Sequence, residues 1–190
     1  MDFDIIFLAG PQGSGKGTQG NLLAKKTGFF FWDMGDILRA IATEQTPLAQ
    51  KLQVINKGTL LSDEVLIEVL KEKLPGVPHD RGIIFDGVPR RLGQAQFLVS
   101  YLRDEGRSRI ATLFIDLPRE ESIRRLLLRS RHENRVDDTP EGIETRFRFY
   151  DEAMQPTVTY LKKETSFITV DGSGTVENVT QNIDAALGLN

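Results

Sequence analysis

Residues Gly10-Pro11-Gln12-Gly13-Ser14-Gly15-Lys16-Gly17-Thr18 have the types and spacing to hold a phosphate chain. They fit the pattern G-x-x-x-x-G-K and directly follow the apolar run Ile5-Ile6-Phe7-Leu8-Ala9. Glycines let the backbone curl so that successive N–H groups point inward around phosphate oxygens. The helix that follows adds the positive end of its dipole. Lys16 supplies a movable charge for the β and γ oxygens. A Gly-rich turn without function is the competing explanation, but strand, lysine and helix all stand where phosphate binding needs them. In the usual pattern Ser or Thr follows the lysine and holds Mg²⁺. Here that position is Gly17 and the hydroxyl comes one later, at Thr18. Asp86, at the end of a later apolar run, is the better candidate to orient the ion, through water.

A second set of residues is cationic. The chain has 15 Arg against 9 Lys, and eight of those Arg lie between Arg119 and Arg148, a stretch without Lys. A guanidinium is a planar fork that binds two phosphate oxygens at once and never deprotonates, so it suits phosphate better than an ammonium does. Arg125 and Arg129 stand at i and i+4 and share a helix face. Two further arginines close short motifs: Gly35-Asp36-Ile37-Leu38-Arg39, and Asp86-Gly87-Val88-Pro89-Arg90 with Gln94 beyond it. Without the phosphate loop this surplus would read as a solvated helix face, with Asp137 and Asp138 as exposed ion-pair partners. With the loop it reads as a clamp for anions. Phosphoryl transfer needs little beyond positioning and charge, because its transition state is loose and carries charge on equatorial oxygens. A phosphate acceptor is already ionised near neutral pH and needs no base. The two histidines, His79 and His132, lie in polar contexts and read as solvated. Asp33 and Asp36 read either as helix-capping carboxylates or, for a hydroxyl acceptor, as the base.

The elements that must place these groups are legible as periodicities. Five β-type runs stand out, 4–9, 29–33, 82–86, 111–117 and 166–171, and most are nearly continuous apolar stretches, the pattern of strands buried on both faces of a parallel sheet. Between them lie helical spacings. Leu66, Val69, Leu70 and Leu74 form one face of a helix that Ser62-Asp63-Glu64 opens. Ile123, Leu126 and Leu127 follow Pro118, which suits a first turn. Ile143, Phe147, Tyr150, Met154, Val158 and Leu161 trace one long helix bent near Pro156. Alternating strands and helices predict a doubly wound α/β fold with ligands at the carboxyl ends of the strands. Residues 34–62 and the polar stretch 130–139 exceed what crossovers require, and read as appendages that move.

Length and composition bound the rest. A chain of 190 residues, 39% hydrophobic and 27% charged, suits a single domain with a sizeable core. The absence of Cys excludes disulfides, Cys-bound zinc and thiol nucleophiles. A net charge of −3 argues against a general nucleic-acid binder. No apolar run approaches the roughly 20 residues that span a bilayer, and no signal-peptide pattern is visible, so a cytoplasmic, membrane-free protein is expected.

Taken together in order and spacing, G-P-Q-G-S-G-K-G-T-Q, G-D-I-L-R, D-G-V-P-R with Gln94, and the Arg-rich stretch resemble the adenylate kinase family of nucleoside monophosphate kinases over essentially the whole chain. The resemblance implies a P-loop NTPase-like three-layer sandwich around a five-stranded parallel sheet. It implies a single domain, 1–190, with a monophosphate-binding insertion at 34–62 and a short lid at 130–139. Gly13, Ser14, Gly15, Lys16, Gly17 and Thr18 would hold the phosphates of ATP, with Arg125, Arg129 and the backbone of Gly174 on the same donor side. Met34, Arg39, Thr59, Leu60, Leu61, Gly87, Val88, Pro89, Arg90 and Gln94 would form the AMP side, where Gln94 reads the adenine. Arg135 and Arg146 would reach both phosphate chains on closure. Lys16, Arg90, Arg129, Arg135 and Arg146 would be the catalytic set. Mg²⁺ would arrive with ATP, the short lid would carry no zinc, and relatives of this form point to a monomer.

One position departs from the pattern. Adenylate kinases usually have Thr where this chain has Met34, and a thioether cannot supply that hydroxyl's hydrogen bond, though it can pack against a base. AMP is the expected acceptor, because Gln94 stands in place and the Asn pair of a UMP/CMP kinase is missing from Arg91-Leu92-Gly93-Gln94-Ala95-Gln96. The alternatives are a kinase with another acceptor such as UMP or CMP, a phosphate-loop kinase for the hydroxyl of a small metabolite, and a nucleotide sensor without turnover.

Overall fold

Runs rich in β-branched and aromatic residues form five strands: β1 (Ile5–Ala9), β2 (Phe30–Asp33), β3 (Ile83–Asp86), β4 (Ile110–Asp116) and β5 (Ser166–Asp171). Each lies within one residue of its expected place. The computed structural model describes residues 2–55, 62–133 and 139–189, and for 53–55, 130–133, 140, 146 and 149 the backbone alone. All strand pairings are parallel, in the order β2-β3-β1-β4-β5. Every residue of β1 is buried. Side chains alternate across a strand, so Ile5 and Phe7 enter one core while Ile6 and Leu8 enter the other.

Eight helices, α1 (Lys16–Thr27), α2 (Met34–Ala42), α3 (Pro47–Ile55), α4 (Asp63–Lys73), α5 (Leu92–Asp104), α6 (Arg119–Glu133), α7 (Pro140–Glu164) and α8 (Val176–Leu187), are found among the described residues. Leu23 of α1 with Val179 and Ile183 of α8 cover the Ile6 face. On the Ile5 face, Ile41, Leu70 and Leu98 pack with Trp32, Phe85 and Leu161. Helices on both faces of a parallel sheet give three layers, the α/β sandwich that the alternation predicts. Gly20 lets α1 lie close to the sheet: a Cβ there would stand 2.4 Å from the Phe31 ring and 2.6 Å from Leu8 Cδ1.

Local signals set the ends. Ser62 caps α4 by accepting from Val65 N at 3.5 Å, with Asp63 and Glu64 in the first turn. The carbonyl of Pro118 accepts from Ser122 N at 2.9 Å and opens α6. Helix α7 runs on through Pro156, where the neighbouring Thr157 hydroxyl donates to Ala153 O at 2.9 Å. Leu126 of α6 packs with Ile143 and Phe147 of α7 in a small separate core that joins those two helices.

Candidate active site

The sheet order changes direction at β1, because the chain runs to β2 and β3 on one side and to β4 and β5 on the other. In open parallel sheets the crevice at such a point receives the ligand. The loop 10–15 starts there. Gly10 has φ +134°, and a Cβ on it would lie 2.3 Å from Ile115 O, so only glycine lets the loop leave β1 against β4. Gly13, at φ +80°, meets the backbone of α6, with Ser122 O 2.9 Å from where a Cβ would be. Ser14 is buried inside the turn, Gly15 caps α1 in the left-handed region, and Lys16 begins that helix. Thr18 is exposed on its first turn.

Lys16 Nζ donates to Gly10 O at 3.0 Å, to Pro11 O at 2.8 Å and to Ser14 Oγ at 3.4 Å. Burial pushes its pKa down to about 8; the Asp86 carboxylate opposes this, while the Arg90 and Arg129 guanidiniums add to it. Phosphate loop, β3 turn and α6 therefore share one electrostatic field. Burial also raises the pKa of Asp86, against the pull of Lys16 and with the push of Asp33, its register partner on β2. Gly17 faces this carboxylate, and a Cβ there would lie 3.3 Å from Asp86 Oδ2. Mg²⁺ usually keeps several waters and binds through one or two carboxylates plus substrate phosphates. Asp86 beside a residue with no side chain fits that role. No group of three His, Cys, Asp or Glu that could cage a metal occurs among the described residues.

Gly87, Val88 and Pro89 turn from β3 toward α5 through a cis Val88–Pro89 bond, with Val88 and Pro89 buried. Arg90 follows, and its exposed guanidinium makes no hydrogen bond or ion pair among the described residues. Its backbone N–H donates to Gln94 Oε1 at 2.8 Å, and Gln94 Nε2 donates to Asp63 Oδ1 at 2.9 Å. Gln94 is 4% exposed. Met34 is 2% exposed, and its Cβ would meet a Cβ on Gly87 at 3.2 Å. It packs beneath the β3 turn. Asp33 caps α2 by accepting from Asp36 N at 2.9 Å, and Asp36 pairs with Arg39 on the exposed helix surface. Both carboxylates thus act locally as helix-terminal groups.

On the other side, α6 carries Arg125 and Arg129 past Gly13. Arg125 donates to Glu121 Oε1 at 2.8 Å, to Gly172 O at 3.1 Å and to Gly174 O at 3.2 Å, which ties α6 to the turn after β5. Arg124 and then Arg125 hold the Glu121 carboxyl down at about 2. Half-buried Arg129 lies one helical turn on, within reach of the Lys16 field. Thr59, Leu60, Leu61 and Arg135 lie outside the described residues; Arg146 belongs to α7, and its side chain lies outside them too.

Two residues matter more than the sequence indicates. Asp63 reads only as part of a helix start, yet it reaches Gln94. Tyr150 reads as one of a helical apolar stripe, yet its buried hydroxyl has no partner among the described residues and lies in the field of Asp116 and Arg90.

A glycine-rich loop at the switch point of an all-parallel sheet, facing a cluster of cations, defines a phosphate-loop nucleotide kinase. The sequence model described as adenylate kinase matches residues 8–166. The adenylate kinase of Thermus thermophilus is 38% identical over 186 residues, 97% of each chain. That of Prochlorococcus marinus is 38% identical over 190 residues, 100% of this chain and 99% of the other. That of Phocaeicola vulgatus is 34% identical over 183 residues, 96% and 97% of the two. The chain belongs to the adenylate kinase family.

Proposed function

We propose that this protein transfers the terminal phosphoryl group of MgATP to AMP, giving two ADP. The observation that carries this is the cationic field at the carboxyl ends of β1 and β3, where Arg90 and Arg129 act on Lys16, and Lys16 and Arg90 act on Asp86. The loop N–H groups from Gly13 to Thr18 and Lys16 take the donor phosphates, with Arg125, Arg129 and Gly174 on the donor side. Arg39 and Arg90 take the acceptor phosphate, and Gln94 reads its base, with Met34, Gly87, Val88 and Pro89 supporting that side and Thr59, Leu60 and Leu61 lining it. Arg135 and Arg146 complete the charge on closure. Residues 34–62 close over AMP and 130–139 over ATP, expelling water that would hydrolyse the donor. No general base enters, since the acceptor phosphate is already ionised and Asp33 and Asp36 are occupied at the start of α2. The family implies MgATP. Asp86 orients the ion, which supplies charge neutralisation on the phosphates, and the lid carries no zinc.

The protein works as a cytoplasmic monomer on small nucleotides, with neither nucleic acid nor membrane as partner. No helix among the described residues is long and apolar enough to cross a membrane. A coupled assay with ATP and AMP, CMP, UMP or GMP tests the substrate. AMP is expected to give the highest kcat/KM, and equal use of the four contradicts it. A UMP or CMP acceptor is the second reading; it rests on Met34 standing where the family usually has Thr.

A further inference from the structure

We propose that Asp63 is a positioning residue that fixes which way round the Gln94 amide stands, and thereby makes the acceptor site select a 6-aminopurine and reject a 6-oxopurine. The inference rests on Gln94 reading the acceptor base. A glutamine amide has one end that accepts and one that donates, and nothing in its shape distinguishes them. Here both ends are held. The Arg90 backbone N–H fixes the oxygen at 2.8 Å, and the Asp63 carboxylate, which can only accept, fixes the nitrogen at 2.9 Å. Reversing the amide would put N–H against N–H and carbonyl against carboxylate. At 4% exposure, water offers little relief.

What remains on Gln94 is one N–H and one lone pair, taken by no described residue. An adenine edge presents an acceptor at N1 and a donor at its 6-amino group, which matches that pair in one sense only. Hypoxanthine presents the opposite order, N1–H and O6, and would require the reversed amide.

Gly93 makes the arrangement possible. A Cβ there would stand 3.0 Å from Asp63 Oδ2, so a side chain would crowd the carboxylate and make it give by a few tenths of an ångström. Asp63 also starts α4, so the contact joins the end of the expected acceptor insertion to the turn that carries Arg90.

The test measures kcat/KM for AMP and for IMP, with saturating MgATP, in the wild type, Asp63→Asn and Gly93→Ala. Asn keeps the shape of Asp but can face either end of the amide; Ala crowds the carboxylate without removing its charge and favours the helix. The wild type is expected to prefer AMP, and both variants to lower the AMP-to-IMP ratio at least tenfold. A merely structural tie would slow both acceptors together, so an unchanged ratio in both variants, with wild-type preference intact, overturns the role of Asp63 alone. A wild type that uses IMP as well as AMP overturns the reading of Gln94 itself.

Discussion

Lys16 is an ammonium that burial has brought close to neutrality, with a pKa of about 8. A phosphate chain placed against it supplies the opposite charge and raises that value. The Lys16 contribution to ATP binding should therefore be a proton taken up above pH 8 and little at pH 7, with affinity falling as pH rises through 8. Calorimetric titration in buffers of different ionisation enthalpy reads this directly; pH-independent affinity up to 9.5 would contradict it. Arg90 presents its guanidinium without a partner among the described residues, so Arg90→Ala should lower kcat by orders of magnitude while the thermal midpoint stays close to wild type. Arg90→Lys should recover little, because an ammonium lacks the fork. The loop and both arginine motifs were legible from sequence, since short spacings carry them. The Gln94–Asp63 contact was not: its partners are 31 positions apart, and only the packing of α4 beside α5 brings them together. Asp63 instead gave the stronger local signal of a helix start.

The strands were legible as largely apolar runs: β1, β3 and most of β4 are buried, while the edge strands β2 and β5 are only partly covered, and β5 keeps Ser166, Thr169 and Asp171 exposed. Their order was not, since apolar runs do not say which neighbour they pair with. The roles of Asp33 and Asp36 stay open in the sequence for a similar reason: capping and base catalysis ask for the same carboxylate at the same place, whereas the structure has Asp33 capping α2 and Asp36 paired with Arg39. Close docking of α1 was also invisible. Gly20 within a helix looks like a weakness, yet its missing side chain admits Phe31 and Leu8. Gly20→Ala would gain helix propensity but overpack this contact, at a cost of roughly 1–3 kcal/mol. For a chain of this size that lowers the thermal midpoint by several degrees, and calorimetry or circular dichroism would show it. An unchanged or higher midpoint would mean that the layer yields without strain.

Across the whole molecule, a net charge of −3 conceals a local concentration of cations where the carboxyl ends of the strands meet α6. That uneven distribution suits a protein that holds two polyanions side by side. With no Cys in the chain, and with Mg²⁺ arriving on the nucleotide, chelation by EDTA should abolish turnover but leave the thermal midpoint of the free protein unchanged; a lowered midpoint would reveal a structural metal. Phosphorus NMR of ATP and AMP with Mg²⁺ follows the transferred group itself. AMP should disappear as fast as ATP, the γ-phosphorus of ATP should reappear as the β-phosphorus of ADP, and two ADP should form for each AMP consumed. Release of inorganic phosphate with AMP left unchanged would contradict it.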